Sequence, residues 1–171
     1  RPTRANFRTG SLTVCTMVPM RSVPHRVVCL LGLDDGVFPR ATGSDGDDLL
    51  ARSPCTGERD PRGEDRQLLL DAILAATQTL VISYTGADPH TGQTRPPAVP
   101  LGELLDSLDA TATADSGSVA AAVTVHHPLQ PFDRRNVVPG AIREDTPFSF
   151  DPVALAGARA AAGIRHPPAP L

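Results

Sequence analysis

The sequence predicts an α/β fold organised around a parallel sheet, on three observations. Arg26-Val27-Val28-Cys29-Leu30-Leu31-Gly32-Leu33 is a continuous apolar run of strand length, the pattern of a strand covered on both faces. Glu64 to Thr77 carries apolar residues at helical spacing, with Gln67, Asp71 and Gln78 as a narrow polar stripe. Thr79-Leu80-Val81-Ile82-Ser83-Tyr84-Thr85 then returns to strand composition and stops at Gly86. Strand, helix and strand joined by short links make a βαβ unit.

The other elements follow in chain order. Leu12-Thr13-Val14-Cys15-Thr16-Met17-Val18 is rich in β-branched residues and reads as an earlier strand. Pro19 and Pro24 bracket an irregular connection, and Asp34-Asp35-Gly36 marks the turn that ends the central run. An acidic, Gly-bearing loop spans Ala41 to Arg62, and a polar loop spans Ala87 to Pro97. A second helix is expected from about Pro100 to Asp109, with Leu101, Leu104, Leu105 and Leu108 on one side. Ala110 to Val123 is mostly Ala, Thr, Ser and Gly and reads as a linker. Two Pro-rich extended segments follow, His126–Asp133 and Pro147–Asp151, and Val153–Gly163 adds a helical turn or two. The expected organisation is a partial domain over 1–109, a linker over 110–124 and an extended Pro-rich tail over 125–171. No internal repeat is found.

Composition narrows the function. The 171 residues include five Phe, one Tyr and no Trp, so a core must rest on Leu, Val, Ile and Ala. A net charge of −3 excludes a generally basic, histone-like nucleic-acid binder. The first 26 residues nevertheless hold Arg1, Arg4, Arg8, Arg21 and Arg26 and no acid. All 16 basic residues are Arg. A P-loop needs its Lys on the β/γ-phosphates, so no complete nucleotide-triphosphate cradle is encoded here. A Schiff-base Lys and a nuclease site built on Lys are excluded in the same way. Cys15, Cys29 and Cys55 form no even disulfide framework and no CxxC pair; Cys15 and Cys29 lie inside apolar runs and are expected as buried thiols, which suits a reducing cytoplasm. No apolar run approaches a membrane span and no signal-peptide pattern opens the chain. It begins with Arg1, which reads as a piece of something longer.

Residue by residue, no catalytic site emerges and no cofactor is expected. His126-His127 has no ligand partner at suitable spacing, and Asp45, Asp47 and Asp48 lack the ordered spacing of a calcium loop. Ser22, Ser44, Ser53 and Ser83 have no nucleophile-elbow context.

Two longer stretches carry more. Thr16 to Pro39 resembles, without a gap over 24 positions, a stretch of the second motor domain of UvrD-like superfamily-one DNA helicases. There the pattern is strand, a T-x-H-x-x-K-G-L-E loop, strand, then G-x-x-x-G-x-F-P. Thr16, Gly32, Gly36, Phe38 and Pro39 match, and Asp34-Asp35 stand where acids are usual. Glu64 to Ala76 resembles the helix E-E-R-R-L-x-Y-V-A-x-T-R-A, also followed by a strand. The implied fold is a partial RecA-like (P-loop NTPase-like) second motor domain with an extended, Pro-rich C-terminal tail.

The departures are equally informative. Val18 replaces the family His, Arg21 the Lys, Ser22 the Gly and Pro24 the Glu, while Leu74-Ala75 stand at Thr-Arg. That Arg is the finger that stabilises charge on the γ-phosphate, worth about 10³-fold or more in rate. This pattern of loss, with Cys15–Pro24, Arg66–Ala72, Tyr84-Thr85-Gly86, Glu103-Leu104-Leu105-Asp106 and His127–Asp133, resembles the RecC family, the gamma subunits of exodeoxyribonuclease V. The resemblance implies a helicase-like scaffold without ATPase activity, non-catalytic by itself, which holds RecB and RecD. It also implies handling of single- and double-stranded DNA and support of Chi recognition, with no membrane partner.

Arg8, Arg21, Arg26, Arg40, Arg59 and Arg66 flank the motif loops and are the candidate DNA contacts, since a guanidinium fork binds phosphate oxygens bidentately. A salt bridge to one of the many Asp residues is the ordinary alternative for each. The rival readings are the C-terminal piece of an active superfamily-one helicase, which needs Arg at position 75, and a nuclease domain, which needs carboxylates beside a Lys.

Overall fold

A computed structural model of the chain describes residues 10, 12–41, 53, 55–57, 60–115, 117–142, 146–149 and 151–163. The chain divides into two compact units, Arg1–Thr85 with Pro96–Gly102, and Gly86–Arg95 with Glu103–Leu171.

The first unit is a βαβ unit. Strand β1 (His25–Leu30) pairs in parallel with β2 (Ala76–Ile82), and α1 (Pro61–Ala75) connects them. Asp60 starts α1 by accepting from the backbone N–H groups of Arg62 and Gly63, and Pro61 fills the first helical position, where no N–H is required. The helix therefore begins three residues earlier than the pattern predicts. It also ends earlier, because Ala76 is already extended, so helix passes directly into strand. Leu68, Leu69 and Ala75 of α1 are buried together with Leu30, Leu33, Phe38, Ala98 and Leu101. The last two come from the start of α2 (Val99–Thr111) and the residue before it.

Several expectations are corrected. Leu12–Val18 is no strand: residues 12–16 carry no regular structure, and Val18–Met20 is a single 3₁₀ turn with Pro19 inside it. β-Propensity without a neighbouring ladder does not make a strand. The central run stops at Leu30 rather than Leu33, because Gly32 turns the chain at φ 75°. The strand expected over 79–85 lies over 76–82. Val27, Cys29, Thr79 and Val81 are exposed, so β1 is not buried on both sides. Cys15 and Cys29 are exposed rather than buried, and Cys55 is exposed as well.

Two of the family-pattern positions have a backbone reason. Gly36 lies at φ 74°, where L residues are strained, and it closes a turn in which Asp34 O accepts from Val37 N and Phe38 N. Ser22, standing where the helicase pattern has Gly, lies at positive φ, 58°, alone among the described non-Gly residues. Ser22→Gly relieves a left-handed penalty of ~1–2 kcal/mol, partly offset by greater unfolded-chain freedom. The expected net is a gain of up to about 1 kcal/mol, read as a higher urea midpoint. A lower midpoint would show that the serine side chain holds the turn.

In the second unit, α2 runs on to Thr111, and α3 (Val119–Val123) follows after the Ser118 cap. The stretch expected as a linker is thus partly helical. Asp109 accepts from Ala120 N at 2.8 Å and ties the two helices. Asp133 caps a 3₁₀ turn, Arg134–Asn136, whose buried Asn136 amide donates to the carbonyls of Gln130 and Pro131 at 3.0 and 3.2 Å. The Asn136 carbonyl accepts from Ser149 N at 2.8 Å, which pins the two Pro-rich segments together. Asp151 caps α4 (Pro152–Ala162), longer than the one or two turns expected.

Candidate functional site

Arg8, Arg59 and the cluster Asp45, Asp47 and Asp48 lie outside the described residues. Arg21 donates from Nε to Asp71 Oδ2 at 2.7 Å, and Gln67 Nε2 donates to the other Asp71 oxygen at 2.9 Å. Arg26 donates to the neutral Gln78 Oε1 at 3.1 Å. Arg40 grips Asp65: Nη2 reaches Oδ1 at 2.6 Å, Nε reaches both oxygens at 3.0 Å, and the Arg40 backbone N–H reaches Oδ2 at 2.8 Å. Arg66 is exposed on the second turn of α1.

These residues do not form one cluster. Arg21 and Arg26 precede or open β1 and meet the later part of α1 and the start of β2. Arg40 follows β1 and meets the beginning of α1. Asp65 and Asp71 are six residues apart, about 9 Å along a helix axis and on different sides of it. Arg21 and Arg40 are therefore committed to carboxylates within the fold, while the printed partner of Arg26 is a neutral amide.

The positions expected as degenerate motif positions separate by exposure. Val18 lies exposed in the 3₁₀ turn, and Pro24 is exposed just before β1. Leu74 is 72% exposed, whereas Ala75 is 7% exposed and faces the core.

In open α/β sheets, ligands bind outside the carboxyl ends of the strands. Here that place is filled by the protein. Asp34 accepts from both the backbone N–H and the hydroxyl of Thr85, joining the exits of β1 and β2. Leu33 O accepts from Ala98 N at 2.9 Å, and Asp34 bridges to Pro97. Ala98 is fully buried. A polyphosphate brought to this end meets the carboxylate of Asp34.

Sequence reasoning missed Asp65 and the role of Asp34, which it named only as a turn residue and an acid of the motif. The signal for Asp65 was present, since 65, 68, 69 and 72 are the i, i+3, i+4, i+7 positions of the apolar face. An acid at such a position requires a partner. In the second unit, His127 lies against Phe148, with ring centroids 4.1 Å apart. Among the described residues no group of three or more His, Cys, Asp or Glu gathers to hold a metal, and no helix is long and apolar enough to cross a membrane.

The paired carboxylates set an acid response. The Arg40 hydrogen bonds hold Asp65 below the usual carboxylate range against the opposing effect of burial. Asp71 is lowered first by Arg21 and then by Gln67, Asp88 by the backbone N–H groups of Thr91 and His90, and Asp133 by Arg135. Carboxylates with depressed folded pKa values stabilise fully above their unfolded value, and that contribution is lost as pH falls through the folded value. Stability is expected to hold from neutral pH to about 5 and to fall below about 4. High salt should weaken the contributions of the half-buried Asp71, Asp88 and Asp133, whose partner arginines lie largely in solvent or whose contacts lie near the surface, more than that of the buried Asp65. Urea midpoints from pH 7 to 3, at low and high salt, check this; a midpoint that rises below pH 4 contradicts it.

No family model matches the chain. The RecBCD enzyme subunit RecC of Mycobacterium tuberculosis is 74% identical over 168 residues, which are 98% of this chain and 15% of that protein. RecC of Mycolicibacterium smegmatis is 72% identical over 165 residues, 96% of this chain and 15% of the relative. RecC of Escherichia coli is 40% identical over 144 residues, 78% of this chain and 13% of the relative. The chain thus spans about one seventh of the length of the curated relatives it matches. Aligned over 98% of its own length at 74% identity, the chain corresponds to one segment of RecC.

Proposed function

We propose that this chain serves as a helicase-like, ATPase-dead scaffold segment of a RecC subunit, within the ATP-dependent exodeoxyribonuclease V complex. In that role it works beside RecB and RecD, guides DNA strands and supports Chi recognition during double-strand break repair by homologous recombination. The fold is read as the later part of a RecA-like second motor domain, followed by a lead-in to a further C-terminal domain. The family relatives, named as RecBCD enzyme subunits, support the assignment to that complex. The observation that carries the loss of ATPase chemistry is at position 75, where a buried Ala occupies the place of the finger Arg in a chain that has no Lys. The strand ends closed by Asp34, Thr85 and Ala98 support the same reading.

The test is a DNA titration. With net charge −3 and only a local basic cluster, the chain should bind single strands weakly and lose affinity steeply with salt. Arg26→Ala should reduce the slope of log K against log salt by about one phosphate contact, whereas Arg21→Ala, already paired to Asp71, should change it less. Fluorescence anisotropy between low and physiological salt measures both. Tight, salt-independent binding would mean that an apolar, base-stacking surface dominates instead.

A further inference from the structure

Among the described residues, Asp35 is the one aspartate followed by glycine; Asp45-Gly46, the other such pair, lies outside them. Many of its counterparts are held in place. Asp60, Asp88, Asp133 and Asp151 accept from backbone N–H groups just downstream, Asp65 and Asp71 are paired to arginines, and Asp34 holds Thr85. Asp35 and Gly36 are both exposed, and no described residue hydrogen-bonds the Asp35 carboxylate or the Gly36 N–H.

The turn around them leaves their shared peptide free to rotate. Asp34 O accepts from Val37 N at 3.2 Å, so Asp35 and Gly36 are the central pair of a turn. Asp35 is not at positive φ and Gly36 lies at 74°, which is the type II arrangement. The peptide between them takes no part in closing that turn. Glycine accepts whatever φ a rotation brings, and a Cβ placed on Gly36 would meet nothing within 4 Å, so there is room for the movement. Rotation can therefore carry the Gly36 nitrogen toward Cγ of Asp35 with no side chain crowding it.

We propose that Asp35-Gly36 is a covalent modification site, at which the chain converts to a β-linked isoaspartate through a succinimide. The Gly36 nitrogen bonds to Cγ of Asp35 and gives up its hydrogen, and one carboxyl oxygen leaves as water. Water then adds to the ring. Addition at Cγ restores Asp35. Addition at the main-chain carbonyl leaves the chain running through Cβ and Cγ, with the former carbonyl carbon as a free carboxylate. One water leaves and one enters, so mass is unchanged and no oxidant or enzyme is required. The new carboxylate is the group that isoaspartyl methyltransferases esterify with S-adenosylmethionine, which names the enzyme class that would act on the aged chain.

The place of the pair gives the change a structural consequence. A β-linkage lengthens the main chain by one atom inside the turn that Asp34 O closes on Val37 N and Phe38 N. On one side of that turn, Leu33 O holds Ala98 N and the Asp34 carboxylate holds Thr85. On the other, Phe38 is buried in the core. The modification therefore strains the link between the exits of β1 and β2, and the first unit should melt lower once it has aged.

The test is to age the 171-residue chain at neutral pH and physiological temperature, native and in urea. Trypsin cuts after Arg26 and Arg40, so the peptide Val27–Arg40 carries Asp35 apart from Asp45-Gly46. The expected result is a second peak of equal mass from that peptide, methylated by an isoaspartyl methyltransferase and no longer cut by endoproteinase Asp-N between Asp34 and Asp35. In the native chain it should accumulate within about ten-fold of the rate in urea, as for a loop that opens locally at little cost. A larger gap would show that the turn protects the pair and would overturn the proposal. Asp35→Glu, whose ring would have six members and close far more slowly, should give no second peak and keep its melting temperature on ageing, while the aged parent melts lower than the fresh one. A second peak in Asp35→Glu would place the chemistry at Asp34, and an aged parent that carries the isomer yet melts unchanged would show that the turn is not needed by the fold; either result overturns the proposal. None of these readouts involves ATP or DNA, so failure here is distinguishable from failure of the scaffold reading.

Discussion

Ala75→Arg is expected to unfold the first unit rather than to create an ATPase. Position 75 is the last residue of α1, 7% exposed, where the helix turns into the sheet. A guanidinium there must either lose its hydration or push the helix off the strands. Either course costs about 3 kcal/mol or more, a large fraction of the stability of an ordinary domain. Leu74→Arg is the control, because Leu74 is exposed and an Arg there stays in water; its effect should be within about 0.5 kcal/mol. Thermal melting separates the two variants, and a DNA-stimulated phosphate-release assay should read background for both. A variant with Arg at 75 that melts like the parent and hydrolyses ATP would show that the nucleotide site is intact.

Arg40→Ala should be the second large effect, and the less obvious partner to remove. Asp65 is 2% exposed, whereas the Arg40 side chain is largely in solvent. Truncating Arg40 leaves a buried carboxylate holding one backbone N–H, at a cost on the order of 2–3 kcal/mol. Truncating Asp65 lets the guanidinium relax into water and should cost roughly half as much. The order Arg40→Ala worse than Asp65→Ala, read from urea midpoints, is the test. The reverse order would mean that the carboxylate is far better hydrated than its burial indicates. Arg40→Ala should also move the acid transition upward, because a desolvated carboxylate without its cation takes up a proton at higher pH.

The βαβ order was legible because periodicity changes sharply between Leu33 and Glu64 and again near Gln78. The open sheet face was not, since a continuous apolar run has no period-2 signal and does not say which side meets the helix. Leu12–Val18 misled for a related reason: its composition suits a strand, but a ladder needs a neighbour that local propensity cannot supply. The arginines could be named as phosphate-binding candidates, yet their partners could not. Arg40 and Asp65 are 25 residues apart and Arg21 and Asp71 are 50 apart, so only the folded chain brings them together. The resemblance to helicase sequences located Ser22 and Ala75, and the structure supplied what each does, a left-handed turn in one case and a packed helix end in the other.

Helix α1 gives way to β2 between Ala75 and Ala76 with no residue in between. A single codon inserted at that junction would have to be absorbed by one of its neighbours. Taken up by the strand, it exchanges Leu80 and Ile82 with Thr79 and Val81, turning the dry side of β2 outward. Taken up by the helix, it rotates α1 by about 100° and swings Asp65 away from Arg40. Loops such as the one around Gly92 can lengthen or shorten as a gene drifts; this joint is expected to keep its length in every RecC that retains the unit.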